Sequence, residues 1–136
     1  MFSTASTVVI ATNDSFPQVL DLIGGIKDLN TPVKKVVVKV GIYNPKTGIC
    51  TTVETLNAII RAFDKAPTIQ VAESDSGAGP GLKRLEVWSD CYNGRVRPFN
   101  LSDDQETNTV EVAGESVPLS HILFKPNTFI STHVPR

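Results

Sequence analysis

KVVVKV, Lys35 to Val40, decides the fold. Four valines in six positions leave almost no polar alternation. Such a strand is buried on both faces, as in the interior of a parallel sheet. The flanking sequence repeats the theme. Upstream, Thr7–Thr12 (TVVIAT) is a β-branched run of strand length. Between the two, Phe16, Val19, Leu20, Ile23 and Ile26 recur at helical spacing. Asp14 or Ser15 can cap that helix, Pro17 suits its first turn, and Gly24-Gly25 weakens its end.

Downstream, TTVETLNAIIRAFDKA reads as a second helix. Thr51 and Glu54 fit a capping box, and Val53, Leu56, Ile60 and Phe63 make one apolar face before Pro67 closes the segment. Thr68–Glu73 (TIQVAE) is the next strand, and Leu82–Cys91 the next helix, with Leu82, Leu85 and Trp88 on one side. Three β-α units in a row predict a parallel sheet with right-handed crossovers. The second half changes character. Arg95–Leu101 reads as a strand whose Pro98 is tolerated at an edge. VEVAGESVPL has the alternation and central Gly114 of a β-hairpin, and TFIST is a final strand.

Composition bounds the function. The 136 residues make one domain of ordinary globular composition, with no repeat or linker. Thirteen basic and fourteen acidic residues leave a net charge of -1, so nothing draws the chain to nucleic acid or anionic lipid. No apolar run has the length of a membrane span, and the first residues lack the basic region of a signal peptide. Cys50 and Cys91 are too few for a disulfide scaffold or an iron-sulfur cluster held by this chain. Two free thiols in a reducing cytoplasm is the expectation. His121 and His133 lack zinc-ligand spacing.

In an open parallel sheet, ligands collect outside the carboxyl ends of the strands. Two loops leave such ends here, Gly41–Cys50 (GIYNPKTGIC) and Ser74–Gly81 (SDSGAGPG). Both precede helix N-termini, whose free N–H groups favour anions. The second loop misses the known phosphate fingerprints. Leu82 stands where a dinucleotide-binding loop needs glycine, and Leu82-Lys83 where a P-loop needs Gly-Lys. The glycines can equally turn the chain into the helix.

Several residues around these loops can carry chemistry. Glu73 and Asp75, two apart, share one face if the strand extends that far, and could orient a ligand or a hard metal. Asp75 or Ser76 could instead cap the helix. Lys39, in an otherwise apolar strand, must snorkel, pair or serve a site. Tyr43, Asn44 and Lys46 follow it into the loop. Arg95 and Arg97 could clamp an anion or be solvated edge charges.

The pattern as a whole resembles a known family. KKVVVKVGIYNPKTGICTTVETLNAIIRAF, IQVAESDSG and NTFISTHVPR are similar to segments of domain-of-unknown-function family 362. In that family a hydrophobic strand ends Lys-Pro-Asn, a Thr-Thr pair opens a helix, and a later strand leads to a Pro-x-x-Lys and a His. The resemblance places Lys39 on the family lysine, Thr51 and Thr52 on the Thr pair, and Asp75 near the acidic position. Arg136 falls roughly where a lysine would stand. Val40-Gly41 replaces Pro-Asn, and Asn127 stands near the usual Asp. Some relatives carry a separate ferredoxin-like module, which implies a redox connection for them.

The resulting expectation is an α/β fold: a mainly parallel, Rossmann-like sheet flanked by helices, with an antiparallel hairpin in the C-terminal half. Residues 1–136 form one domain, expected to be the N-terminal part of a longer protein. Its function would be to bind an anionic small molecule or a metal at the carboxyl ends of the strands. Lys39, Thr51, Thr52, Glu73, Asp75, Ser76, Gly77 and Gly79 are the candidate ligand-binding residues, with no metal ligands assigned. The alternative is a non-enzymatic interaction or assembly domain, or a fragment of a redox-linked protein. Cofactor and catalytic residues stay open, and so do a homo-oligomer and a missing C-terminal region.

Overall fold

Strand β1, Lys35–Lys39, forms the middle of the sheet as its valine run requires: Val36, Val37 and Val38 are fully buried. Burial of each valine contributes roughly 1.5 to 3 kcal/mol, and the removal of both faces from water excludes any edge position. The computed structural model describes residues 16–22, 24–44 and 49–132. The expected strand Thr7–Thr12, the caps Asp14 and Ser15, and Ile23, Lys46, His133 and Arg136 lie outside the described residues.

Helix α1, Phe16–Leu22, runs into Gly24 and Gly25, which adopt φ of 92° and 79°. Their amides close on Asp21 and Leu20 carbonyls, so the expected weakening at this pair is a full stop. After β1 comes a short antiparallel pair, β2 (Ile42–Asn44) with β3 (Ile49–Cys50). Helix α2, Val53–Ala62, follows and packs Leu56, Ile59 and Phe63 into the core. Leu56 and Phe63 are buried and Ile60 packs against the core, as the apolar spacing predicts. Ile59 is buried, whereas Val53 is 40% exposed in the first turn.

Strand β4, Ile69–Glu73, lies parallel to β1 on one side. Helix α3 is short, Gly81–Leu85, and continues as a 3-10 turn over Glu86–Cys91 with a kink at Trp88. A single helix over Leu82–Cys91 was the expectation. The kink lets Trp88 and Leu85 both reach the core, while Leu82 stays exposed. Strand β5, Val96–Asn100, then pairs parallel with β4 at the edge, where the missing N–H of Pro98 is tolerated.

A 3-10 turn at Leu101–Asp103 leads into the hairpin of β6, Thr107–Val112, and β7, Glu115–Ser120. Ala113 and Gly114 make its two-residue turn at φ of 52° and 84°. Another 3-10 turn, His121–Phe124, precedes β8, Asn127–Ser131. This last strand pairs parallel with the free side of β1, so the four-stranded order is β5-β4-β1-β8. The architecture is therefore α/β, with the hairpin where alternation placed it. Val36, Val38, Ile69, Val71 and Val96 meet α2 and α3 on one face. No helix among the described residues is long and apolar enough to cross a membrane.

Candidate functional site

Parallel pairing of β1 with β4 brings Lys39 and Glu73 to the same end of the sheet. Lys39 Nζ lies 2.5 Å from Glu73 Oε1 and 3.0 Å from the carbonyl of Val40. The Glu73 side chain is only 5% exposed, and Lys39 27%. A buried carboxylate needs every acceptor satisfied. Glu73 meets this with the amide of Ser74 at 2.9 Å on Oε1 and that of Ile42 at 3.1 Å on Oε2. Arg84 completes the surround, its Nη1 3.7 Å from Oε2 and its side chain 9% exposed.

Arg84 also ties the two loops together. Its guanidinium donates to the carbonyls of Ile42, Ser74 and Gly79, so one fork holds both the first loop and the glycine loop. Its position in the sequence GLKRL carries no motif, and nothing but its place one turn into a helix after the loop hints at the role.

Thr51 is buried and is not the helix cap that was expected. Its Oγ1 accepts from Gly41 N at 3.2 Å and sits 2.7 Å from Thr132 Oγ1, while Thr132 also reaches the Lys39 carbonyl. The cap of α2 is Thr52, which accepts from Thr55 N at 3.2 Å. The expected capping box is thus displaced by one residue, and Thr55 replaces Glu54 as its far end. Thr132 was read only as the end of a strand.

Glu73 and Asp75 do not share a face, because β4 ends at Glu73. Asp75 turns the other way. Its Oδ1 accepts from Gly81 N at 2.7 Å and from Asn100 Nδ2 at 2.9 Å. These bonds, that of the Gly81 amide first, hold its carboxyl below the ordinary value. The first amide of α3, where a bound anion would sit, is therefore filled by the chain's own carboxylate. The glycine loop closes on itself as well. Ser76 N and Gly79 N exchange bonds with each other's carbonyls, and Ser76 Oγ accepts from Ala78 N. Gly77 and Gly79 turn the chain, and Gly81 packs against Asn100 too closely for a side chain.

The remaining candidates disperse. Arg95 and Arg97 donate to the carbonyls of Phe63 and Gly94 and form no clamp. His121 Nε2 lies 3.9 Å from Glu106 Oε2. Cys50 and Cys91 are free thiols. Among the described residues no three His, Cys, Asp or Glu side chains gather as a metal site would require. The structure thus brings together Lys39, Thr51 and Glu73, adds Arg84 and Thr132, and sets Thr52, Asp75, Ser76, Gly77 and Gly79 apart in caps and turns.

Comparison with protein-family models, with curated proteins and with solved structures finds no match to this chain. The family resemblance rests on the short motifs alone.

Proposed function

We propose that the carboxyl end of β1 and β4 binds an anionic small molecule, with Lys39 as its principal contact. The observation that carries this reading is the charge balance of the buried cluster. Two cations, Lys39 and Arg84, meet one carboxylate, Glu73, which leaves one positive charge in excess. Arg84 spends its donors on backbone carbonyls, so the excess is expressed at the partly exposed ammonium. An ammonium has three donors, and two of Lys39's are engaged. The third is available at the place where open parallel sheets take ligands. The hydroxyls of Thr51 and Thr132, linked to the Lys39 carbonyl, fix the geometry of that corner.

A thermal-shift series with phosphate, nucleotides, carboxylates and divalent metals tests the reading, since a ligand of the native state raises Tm by mass action. Anions should raise Tm, and Lys39→Met should abolish the rise. An equal rise in Lys39→Met, or none with any anion, sinks the proposal.

The second reading, a non-enzymatic assembly domain, is favoured by a different observation. Glu73, Asp75 and Thr52 all spend their side chains on the chain's own polar groups, as structural residues do. The exposed Phe124 and Phe129 supply apolar surface for such a role. Sedimentation across a concentration series separates the two readings, because only assembly predicts a concentration-dependent mass.

A further inference from the structure

The hairpin of β6 and β7 is separate from the four-stranded sheet and pairs with no other strand among the described residues. A two-stranded ribbon alone is marginal in water, and a third strand or a packed helix is what stabilises it. The base of this one is fastened. Ser120 Oγ donates to Asp104 Oδ2 at 2.5 Å, and His121 N donates to the Glu106 carbonyl at 2.8 Å. The rest is less well covered. Val110, Val112, Val117 and Leu119 share one face of the ribbon, yet three of them are only half-buried and Val112 is 55% exposed.

The two edges of the ribbon differ. Its two-residue turn makes Val112 and Glu115 a hydrogen-bonded pair, and bonded and non-bonded pairs alternate from there along the ladder. Thr107, Thr109 and Glu111 of β6 therefore stand in the non-bonded pairs, opposite Ser120, Pro118 and Ser116 of β7. The backbone groups of these six residues point outward. On β7 the middle residue is Pro118, which has no N–H, so that edge is blunted against a further strand. On β6 all three residues keep both N–H and C=O. No backbone hydrogen bond from a described residue reaches them.

Charge selects the occupant of the open edge. From Leu101 to Lys125 the chain carries Asp103, Asp104, Glu106, Glu111 and Glu115. The bases in that stretch are Lys125 and the titratable His121, and both lie beside Glu106. Glu111, on the open edge itself, accepts a hydrogen bond from Ser116 Oγ and meets no cation among the described residues. A second copy of the hairpin would double the carboxylates at the seam, which opposes self-pairing.

We infer that the free edge of β6 receives an extended peptide of a partner protein, one in which basic and apolar residues alternate. Its backbone pairs with Thr107, Thr109 and Glu111 as a third strand. Its apolar side chains extend the face of Val110 and Val117, and its basic side chains fall on the other face, beside Glu111. This surface uses none of the residues around Lys39 and stands independently of that site.

The test is a titration of the isotope-labelled protein with a blocked peptide of alternating lysine and valine, about eight residues long to match an ordinary strand. Amide NMR and hydrogen exchange read the outcome. The Thr107, Thr109 and Glu111 amides should shift saturably and gain protection, because they become hydrogen-bonded, while those of Ser116 and Ser120 should not. The same peptide with glutamate in place of lysine should bind roughly tenfold more weakly. Glu111→Lys should weaken the lysine peptide by roughly fivefold and strengthen the glutamate peptide. Thr109→Pro, which copies onto β6 the block that Pro118 sets on β7, should abolish binding. If Thr109→Pro disrupts the hairpin, Glu111→Lys decides, since that position is exposed. No saturable shift, equal affinity for the two peptides, protection on β7 in place of β6, or unaltered affinity in Glu111→Lys would overturn the inference. So would protection of β6 that rises with protein concentration in the absence of peptide, which would give the edge to a second copy.

Discussion

A Cβ placed on Gly81 would lie 2.5 Å from Oδ1 and 3.0 Å from Cγ of Asn100, with the carbonyl of Glu73 at 3.2 Å behind it. The glycine at the start of α3 is thus a matter of space: it lets the helix pack against the ends of β4 and β5. Asn100 cannot retreat without cost, because its amide holds Asp75 and its Oδ1 accepts from Ser102 N. Gly81→Ala should therefore destabilise the protein by about 1 to 3 kcal/mol, the range for overpacking a closed site. Urea denaturation reads this directly, and an unchanged midpoint would show that Asn100 yields freely.

Glu73 and Lys39 should respond unequally to removal. Glu73→Ala strands two cations and the amides of Ile42 and Ser74 in a buried setting, and should cost about 3 to 5 kcal/mol. Lys39→Met leaves Glu73 with both amides and with Arg84, and the lost ammonium was already partly in water. Its cost should be about 1 kcal/mol. Equal losses in chemical denaturation would mean that the pair acts as a single unit with no share for the amides.

What the sequence made legible here follows period and composition. The valine run placed β1 inside the sheet, and alternation about Gly114 placed the hairpin. Lys39 stood out because a charge in an apolar strand needs a reason, and it has one in Glu73. The partner set was not legible in the same way. Arg84 and Thr132 join Lys39 from 45 and 93 positions away in the chain. The parallel register of β1 with β8 brings Thr132, and that with β4, whose Glu73 meets Arg84 of α3, brings Arg84. Asp75 was legible as a residue of two uses, helix cap or ligand, and the choice turned on Asn100, which no local pattern connects to it. The face of α2 was legible in Leu56, Ile60 and Phe63, while Ile59 joins the core and Val53, in the first turn, stays exposed.

Acid should unfold the protein partly through Asp75 and Asp104. Both carboxyls are held below the ordinary 3.8, Asp75 mainly by the Gly81 amide and Asp104 mainly by the Ser120 hydroxyl. A depressed folded value means that the stabilisation is complete above the unfolded value and is lost as pH falls through the folded one. The urea midpoint should therefore decline as pH falls through and below the ordinary 3.8. Asp75→Asn and Asp104→Asn should each flatten that decline. A slope unaltered in both variants would assign the acid sensitivity to other carboxylates.

Alkali should act through Tyr92 with the opposite sign. Burial, and then the neighbouring Cys91, push its phenol well above the ordinary 10.0, while its hydroxyl donates to the Leu85 carbonyl at 2.8 Å. The unfolded chain ionises first, so stability should be full below about pH 9 and fall as pH rises past the ordinary value. Tyr92→Phe loses the hydrogen bond and should cost about 1 kcal/mol at neutral pH. It also removes the ionisable group, so the two proteins should converge in stability above pH 10. Parallel curves across the whole range would contradict this account.

Ala113 is the one described non-glycine residue with positive φ, at 52°, and it stands first in the two-residue turn between β6 and β7. Such a turn asks for the left-handed region at both positions, which Gly114 enters without cost and alanine does not. Asparagine tolerates that region better, because its short polar side chain can bond to the local backbone. Ala113→Asn should stabilise the protein by about 0.5 kcal/mol. Ala113→Val should destabilise it by a larger amount, since a β-branched side chain crowds the same backbone. The tip is exposed, so neither change disturbs the core, and the difference between the two denaturation midpoints isolates backbone preference. If the asparagine variant is no more stable than the parent, the hairpin tolerates the strained alanine by relaxing its turn.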